Sequence, residues 1–291
     1  MQLAQKEQKI ERENMMQALK ETTKQKYDKL KAELQTIGSV AVAFSGGVDS
    51  TLLLAVAHEV LGDRAVGVTI ASNLVPPREL GEAKDFCESR GIRHILCPVD
   101  ALEVEQVRVN PPDRCYWCKH TNFSKIQEVA EELGLAAVAE GSNVDDLGDY
   151  RPGLKAVAEL KIESPLRAAG LTKAEIREIS KAMDLPTWDK PSYACLASRF
   201  PYGHAITAAG LDRVDRAEQF LIDLGFQSMR VRVHGDDDPI ARIEVAPERF
   251  EELITQRDKI VPAFKAMGFR YVTMDLQGYR VGSMNETLKQ S

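Results

Sequence analysis

Short apolar runs and segments of helical periodicity alternate along the middle of the chain. The apolar runs have the length of strands and cover residues 39–44, 65–71, 93–99 and 136–141. Apolar residues at helical spacing cover residues 50–61, 77–90, 117–133 and 172–184. This alternation is typical of βαβ units, in which helices cover both faces of a parallel sheet. We therefore predict an α/β fold with a doubly wound parallel sheet, whose ligands bind at the carboxyl ends of the strands.

The pattern is different at the two ends of the chain. Residues 1–37 are rich in Lys, Glu and Gln and carry apolar residues at helical spacing, which predicts an amphipathic helical extension. Beyond residue 203 the order changes to helix, strand, strand, helix and strand, at 207–224, 229–235, 240–246, 247–267 and 271–276. The acidic Gly/Pro turn at 235–239 suits a hairpin. We expect three parts: the extension (1–37), an α/β domain (38–203) and a smaller C-terminal α+β domain (204–291).

The composition predicts a globular chain of the cytoplasm. The 291 residues are 44% hydrophobic, which is enough to bury a sizeable core and excludes a disordered or fibrous protein. Acidic residues outnumber basic ones by 44 to 38, so the chain is not built to coat nucleic acid or an anionic membrane. No apolar run approaches the roughly 20 residues of a membrane helix. Five cysteines, an odd number, argue against a disulfide framework.

The first predicted strand runs into a loop suited to phosphate. The loop precedes an apolar helix and consists of Ser45, Gly46, Gly47, Val48, Asp49, Ser50 and Thr51. Two glycines permit a tight turn against an anion, the hydroxyls add donors, and the helix amino end adds partial positive charge. The loop has neither the lysine of a Walker motif nor a G-x-G-x-x-G pattern. We predict that residues 45–51 hold a pyrophosphate group.

The sequence SGGVDS at the end of a first strand resembles the motif of the PP-loop ATP pyrophosphatases, which have an adenine nucleotide alpha hydrolase-like fold. The resemblance covers residues 38–203. Members of this family split ATP between the α and β phosphates and adenylate a carboxylate, amide or carbonyl oxygen, and a nitrogen or sulfur nucleophile then displaces AMP. The resemblance implies that ATP binds at residues 45–51 and that its adenine lies near the end of the second strand, at Ser72 and Asn73.

A second polar loop follows the fourth predicted strand. Residues 141–153 include three Asp, an Asn, a Tyr and an Arg. Such a loop at the carboxyl end of a sheet can hold Mg²⁺ and contact phosphate, for which Gly141, Asp146 and Arg151 are the candidates. The alternative is a solvated, turn-rich loop. Further along the chain, Lys173, Arg177 and Lys190 continue the family resemblance without an assigned role.

Three segments narrow the resemblance to one branch of the family. The DYRPG segment at 149–153, the CLASRFPYG segment at 195–203 and the closing GYR at 278–280 resemble the LarE-type sulfur transferases. These enzymes serve the biosynthesis of the nickel-pincer nucleotide cofactor of lactate racemase. The resemblance implies that a carboxylate of pyridinium-3,5-biscarboxylic acid mononucleotide is adenylated and converted to a thiocarboxylate. It places Cys195 at the position that delivers sulfur.

The cysteines fall into two groups. Cys87 and Cys97 lie in helical and strand patterns and are predicted to be core residues. Cys115 and Cys118 form a C-x-x-C pair, which is absent from the form of the family that sacrifices a single cysteine. Resemblance to the cluster-containing form implies that Cys115, Cys118 and Cys195 ligate three irons of a [4Fe–4S] cluster. The fourth iron is then open to an exogenous sulfide.

Other interpretations of the C-x-x-C pair stay open. A structural zinc site would need a fourth ligand, for which His120 is the nearest candidate. A redox pair, or a disulfide working with a persulfide on Cys195, is a second alternative. Unrelated buried cysteines are a third.

The C-terminal region carries a basic strand. Arg230 and Arg232 alternate with valines, so both guanidinium groups lie on one face, and the resemblance implies that they hold the substrate phosphate. The alternative is a solvated strand face paired with nearby acids. Arg199 is a further candidate for phosphate or AMP. Glu218 and Glu251 match positions that the family links to an intersubunit metal, although an acidic helix face is the commoner explanation.

Together these features predict an ATP-dependent sulfur transferase that uses ATP, Mg²⁺ and a [4Fe–4S] cluster. Its expected partners are a small mononucleotide substrate, sulfide or a sulfur donor and, by resemblance, further copies of itself. A tRNA-thiolating enzyme is one alternative, which the acidic charge and the lack of a basic arm disfavour. An amide-forming ligase of the NAD- or GMP-synthetase type and a non-enzymatic ATP sensor or iron–sulfur carrier are others.

Overall fold

The structure, a computed structural model, describes residues 14–148, 152–191, 194–235, 238–280 and 282–283. The chain divides into two units, and each draws on more than one stretch of sequence. The first unit consists of Met1–Ser72, Pro77–Val99 and Tyr116–Tyr193. The second consists of Asn73–Pro76, Asp100–Cys115 and Ala194–Ser291. Two short segments from the first half of the chain therefore fold with the C-terminal region.

The first unit is built on a four-stranded parallel sheet. Its strands are β1 (Val40–Ala43), β2 (Ala65–Ser72), β3 (His94–Val99) and β4 (Ala137–Ala139). The order is β3-β2-β1-β4, so β1 is a central strand that pairs with β2 on one side and β4 on the other. The predicted α/β fold is confirmed, and the loops that follow β1 and β4 meet at one edge of the sheet.

Helices connect the strands and cover both faces. In chain order they are α1 (Glu21–Ile37), α2 (Val48–Leu61), α3 (Pro77–Arg90), α4 (Glu105–Arg108), α5 (Arg114–Glu132), α6 (Gly153–Glu159), α7 (Pro165–Ala168) and α8 (Lys173–Ala182). Val40 and Val42 of β1 pack into a core with α1, α2 and α8, whereas Ala41 packs into a second core with α5. Alternate residues of β1 thus point to opposite faces, as a sheet buried on both sides requires.

The N-terminal extension is helical where it is described. Helix α1 buries Tyr27, Leu30 and Leu34, which confirms the predicted amphipathic pattern. Lys26 of α1 forms an ion pair of 2.7 Å with Glu175 of α8. Within the described ranges, no helix has the length and apolar character that crossing a bilayer demands.

The second unit contains a mixed three-stranded sheet. Strands β5 (Met229–His234) and β6 (Ile240–Val245) pair antiparallel, which confirms the predicted hairpin, and β7 (Tyr271–Met274) pairs parallel to β6. Helix α9 (Ala208–Asp223) buries an apolar face that includes Leu211, Val214 and Leu221. The smaller α+β fold expected at the C-terminus is therefore present.

The prediction of one long helix at 247–267 is wrong, because the segment is helical but interrupted. The segment forms the 3₁₀ turn Pro247–Arg249 and two helices, α10 (Phe250–Thr255) and α11 (Arg257–Ala266). The break falls directly after Thr255, whose hydroxyl donates a 2.7 Å hydrogen bond to the carbonyl oxygen of Glu252. A side chain that competes for a helix carbonyl in this way favours termination.

Candidate active site

The loop between β1 and α2 has the geometry of an anion cradle. Gly46 has a φ of +67°, a conformation that favours glycine. The backbone N–H of Ser45 donates to the Ser50 hydroxyl at 3.3 Å, and the Ser50 hydroxyl donates to the carbonyl of Gly47 at 3.2 Å. Gly47 is the N-cap of α2 and has no side chain with which to cap the helix. The amino end of α2 therefore keeps N–H groups for a ligand.

Thr51 supplies the clearest sign that the loop binds a ligand. Its side chain is completely buried, yet its Oγ1 has no hydrogen-bond partner among the described atoms. A buried hydroxyl without a partner is costly, and a phosphate oxygen would satisfy it. The residues of the loop thus fit the triphosphate of ATP.

The loop that follows β4 packs directly against the phosphate loop. A β-carbon on Gly141 would lie 3.0 Å from the backbone nitrogen of Ser50 and 3.2 Å from Cβ of Asp49. Only glycine permits this approach without a shift of the backbone. The next residues form a turn in which Asp146 accepts the N–H of Asn143 at 2.9 Å. Arg151, predicted to contact phosphate, lies outside the described residues.

Asp49 links the two loops to helix α8. Its carboxylate pairs with the Lys173 ammonium at 2.5 Å and accepts a 3.3 Å hydrogen bond from the Asn143 side chain. Lys173 is the first residue of α8, which is fixed by a capping box between Thr172 and Glu175. No role for Lys173 is predictable from local sequence, because its partner is 124 residues away along the chain.

A second lysine reaches the phosphate loop. The Lys190 ammonium donates to the carbonyl of Gly46 at 2.9 Å and to Glu82 at 2.6 Å. Arg177 holds the backbone around Lys190 by donating to the carbonyls of Trp188 and Lys190 at 2.7 and 2.8 Å. Two ammonium groups therefore stand at the loop, where they can meet a polyphosphate.

The end of β2 provides the residues expected at the adenine. Ser72 is the last residue of β2 and is buried. The Asn73 side chain donates to Asp100 at 2.6 Å and accepts the N–H of Ala101 at 3.3 Å. In this arrangement Asn73 fixes the turn after β3.

In the second unit, Arg199 anchors the segment that contains Cys195. It forms a two-pronged ion pair with Glu218, with contacts of 2.8 and 2.7 Å, and both side chains are at most 2% exposed. It also donates to the carbonyls of Ala194 and Cys195. Burial on its own would raise the pKa of Glu218. The Arg199 guanidinium and the N–H of Val231 outweigh burial and hold that pKa below its usual value.

The basic strand is buried and not solvated. Arg230 and Arg232 are 5% and 7% exposed, so the expected solvation of this strand face is wrong, whereas the expected pairing with a nearby acid is present for Arg232. Arg232 pairs with the buried Glu244 through two contacts of 3.0 Å and donates to the carbonyl of Ser198 at 2.5 Å. Arg230 lies over the Tyr279 ring, 5.0 Å from its centre.

The arginines of this unit leave a local excess of positive charge. Among the described residues, the buried charged side chains around this strand are three arginines, Arg199, Arg230 and Arg232, and two carboxylates, those of Glu218 and Glu244. Burial, and then the nearby Arg199, lower the pKa of Arg230. An anionic group bound beside this strand would relieve the repulsion.

The cysteines divide as the sequence predicts. Cys87 and Cys97 are buried, and burial raises the pKa of the Cys87 thiol to about 12. Cys115 and Cys118 are partly exposed and lie three residues apart on helix α5, hence on the same side of it. Cys195 is exposed.

Cys115, Cys118 and Cys195 all have solvent access, and a three-cysteine cluster needs three such thiols as its ligands. In the part of the chain that the structure describes, no three His, Cys, Asp or Glu side chains are grouped as metal ligands. An experiment therefore has to distinguish a cluster, a zinc site and a persulfide on Cys195.

Arg114 is a residue near the cysteines that sequence reasoning missed. It is 3% exposed and donates to the Cys115 sulfur at 3.8 Å. An arginine beside a C-x-x-C pair is the only local signal, and its burial depends on residues far along the chain.

Comparison with known proteins agrees with this geometry. A family model described as NAD synthase matches residues 5–109. A pyridinium-3,5-bisthiocarboxylic acid mononucleotide synthase of Lactiplantibacillus plantarum is 38% identical over 90% of this chain and 94% of its own length. An uncharacterised protein of Synechocystis is 41% identical over 90% of this chain and 98% of its own. One subunit of a glutamine-hydrolysing GMP synthase, from Thermoplasma volcanium, is 29% identical over 53% of this chain and 54% of its own.

Proposed function

This chain belongs to the family of the pyridinium-3,5-bisthiocarboxylic acid mononucleotide synthase, and we propose that it is an ATP-dependent sulfur transferase of that type. The observation that carries the proposal is the 38% identity over 263 residues. A match of that length in a chain of 291 residues includes both the phosphate loop and the Cys195 segment. The proposed role is in the biosynthesis of the nickel-pincer nucleotide cofactor of lactate racemase.

In the first half-reaction the substrate carboxylate is adenylated. A carboxylate oxygen attacks the α-phosphorus of ATP, and the bond to the β-phosphate oxygen breaks, so that pyrophosphate leaves. The Thr51 hydroxyl and the N–H groups of α2 bind the phosphates, and Lys173 and Lys190 neutralise their charge.

Mg²⁺ is the ion expected with ATP, and the oxygen ligands it prefers are present at the phosphate loop. Asp49 would hold the ion together with phosphate oxygens once Lys173 turns to the triphosphate. A bound Mg²⁺ supplies positive charge that stabilises the leaving pyrophosphate.

In the second half-reaction a sulfide sulfur attacks the acyl carbon, and AMP leaves with the former carboxylate oxygen. A proton is released from hydrosulfide, and the product is a thiocarboxylate. Adenylation makes this displacement feasible because AMP is a far better leaving group than oxide. Cys195 is exposed on a segment that Arg199 fixes through two backbone carbonyls, which suits a residue that presents sulfur.

We propose a [4Fe–4S] cluster on Cys115, Cys118 and Cys195 as the form in which sulfur is presented. Held by these three thiols, such a cluster would supply an iron without a protein ligand, which would be open to an exogenous sulfide. The support is the contrast in burial between these three thiols and those of Cys87 and Cys97.

The substrate phosphate is proposed to bind at the basic strand. Arg230 and Arg232 are rigidly held by the sheet and belong to a group of charges with excess positive charge. A phosphate monoester fits such a pair of guanidinium groups. Assembly into a homo-oligomer and a cytoplasmic location are further proposals, which rest on the family resemblance and on the composition.

An amide-forming ligase is the second candidate, because the GMP synthase relative matches about half of the chain. The two candidates share adenylation and differ in the nucleophile. A tRNA-thiolating enzyme is disfavoured by the net charge of −6.

The test combines metal analysis with product analysis. The protein is purified without oxygen, and iron, labile sulfide and zinc are counted per chain in the wild type and in C115A, C118A and C195A. Cys87→Ala is the matched control, since Cys87 is a core residue. About four irons, lost in the three variants but not in the control, support the cluster. Zinc, or no metal with an intact fold, overturns the cluster.

Product analysis tests the reaction itself. Conversion of the biscarboxylate to an amide with ammonia, and no thiocarboxylate with sulfide, overturns sulfur transfer.

A further inference from the structure

Arg114 is a buried cation in contact with the Cys115 sulfur. Its guanidinium donates to the side-chain oxygen of Asn110, to the carbonyl of Ala197 at 3.2 Å and to the Cys115 sulfur at 3.8 Å. It also lies over the Tyr202 ring, 5.9 Å from its centre. All these residues belong to the second unit.

Asn110 fixes Arg114 against the Cys195 segment. Asn110 is completely buried and has a φ of +56°. Its side chain donates to the carbonyl of Pro201 at 2.8 Å, and its own carbonyl accepts the N–H of Gly203 at the same distance. Arg114 is therefore held between Asn110, which precedes Cys115, and the chain that follows Cys195.

Among the described residues, no carboxylate balances the charge of Arg114. Its partners there are neutral oxygens, an aromatic ring and a thiol. Arg199 and Arg232 in the same unit differ, because each forms a two-pronged ion pair with a buried glutamate. A buried charge without a counter-charge is expensive, so a fold that keeps one commonly uses it for a ligand.

The sulfur atoms are the groups that can supply the missing negative charge. The Arg114 guanidinium contacts the Cys115 sulfur at 3.8 Å and the carbonyl of Ala197, two residues beyond Cys195, at 3.2 Å. Both thiols are accessible, whereas the guanidinium is not. The Cys115 thiolate, free or as a cluster ligand, would therefore have solvent on one side and Arg114 on the other.

We propose that Arg114 is a positioning residue that holds the Cys115 sulfur, and the segment that contains Cys195, in the arrangement from which sulfur is transferred. This inference rests on the proposed function and adds a residue to its second half-reaction. Arg114 acts on sulfur and not on ATP, so it affects the attack on the acyl carbon and leaves the release of pyrophosphate unaffected.

The experiment separates the two half-reactions in R114Q and R114K. Pyrophosphate release with the biscarboxylate substrate reports adenylation, and single-turnover thiocarboxylate formation with sulfide reports transfer. We expect R114Q to slow transfer about tenfold or more while pyrophosphate release stays within about twofold of wild type. R114K, which keeps the charge without the planar fork, is expected to retain more transfer than R114Q.

Arg213→Gln is the matched control. Arg213 also belongs to the second unit, donates to a backbone carbonyl, that of Met267, and lies over an aromatic ring, that of Phe269. Thermal unfolding is compared for all variants. Equal losses of both half-reactions in R114Q, or a loss of transfer in R213Q as large as that in R114Q, would overturn the proposal.

A readout independent of the reaction is the charge preference of Cys115, the cysteine that Arg114 contacts. An anionic and a neutral aromatic disulfide are reacted at one pH with protein freed of metal, and labelling of Cys115 is followed by peptide mass. The ratio of the two rates should fall about tenfold in R114Q and stay unchanged in R213Q. An unchanged ratio in R114Q contradicts the role of Arg114. If wild type shows the ratio but makes no thiocarboxylate, the proposed function fails and the sulfur-holding role stands.

Discussion

Gly141 approaches Ser50 so closely that a β-carbon at position 141 would lie 3.0 Å from the Ser50 backbone nitrogen. The contact joins the loop after β4 to the first turn of α2. It sets the distance between the phosphate loop and the residues that follow β4, including Asn143, which contacts Asp49.

Substitution of Gly141 by Ala should displace the phosphate loop. The neighbouring backbone must give by a few tenths of an ångström, less than the roughly 1 Å that costs about a hundredfold in rate, so G141A is expected to slow adenylation by less than that. The measurement is substrate-dependent pyrophosphate release at varied ATP. Gly81→Ala is the control, because Gly81 lies in α3 with nothing within 4 Å of its would-be β-carbon. Equal rates for G141A and wild type would show that the contact has no part in the site.

The buried pair of Arg199 and Glu218 should dominate the stability of its unit. Glu218→Gln leaves Arg199 buried without a counter-charge, and removal of one partner of such a pair costs about 3–5 kcal/mol in the free energy of unfolding. Asp212→Asn on the same helix breaks an exposed pair with Arg216 and should cost about 0–1 kcal/mol. Denaturant unfolding of both variants at neutral pH tests the difference. Similar costs for the two would argue against a buried pair.

The same glutamate predicts a pH dependence. The pKa of Glu218 is lower in the folded protein than in the unfolded chain, whose value is about 4.3. The unfolded state therefore binds more protons between these two values, and stability is lost as the pH falls through the folded pKa. The stability gap between wild type and E218Q should be full above about pH 5 and shrink at lower pH. A gap that stays constant down to about pH 3 would contradict the assigned shift.

Alkylation should separate the cysteines into two classes. Cys195 is exposed and is expected to react in the native protein, whereas Cys87 is fully buried with a thiol pKa of about 12 and should react only on unfolding. Peptide mass analysis after a short exposure to iodoacetamide, on protein freed of metal, gives the order. Native labelling of Cys87 as fast as that of Cys195 would refute the burial.

Local patterns predicted much of the fold. The alternation around 39–99 indicated β1 to β3 and the helices between them, and the turn at 235–239 indicated the hairpin of β5 and β6. Both signals depend on neighbours in sequence. The break at Gln256 was missed because a Thr hydroxyl that competes for a helix carbonyl has no clear signature in the periodicity.

The site was predictable only where its residues are contiguous. SGGVDS indicates an anion cradle by itself. The burial of Arg230 and Arg232 was missed because a strand of alternating Arg and Val has the pattern of a half-solvated sheet. The carboxylates that contact this strand belong to residues of α9 and β6, which are not its neighbours in sequence. Lys173 likewise meets Asp49 across 124 residues, a pairing that only the fold creates.

The central claim is that a substrate carboxylate is adenylated and its oxygen is then replaced by sulfur. The direct test uses substrate whose carboxylate oxygens carry a heavy isotope, together with ATP, Mg²⁺ and sulfide. The account predicts one heavy oxygen in the AMP released for each thiocarboxylate formed. Unlabelled AMP, or the formation of ADP and phosphate in its place, would contradict it.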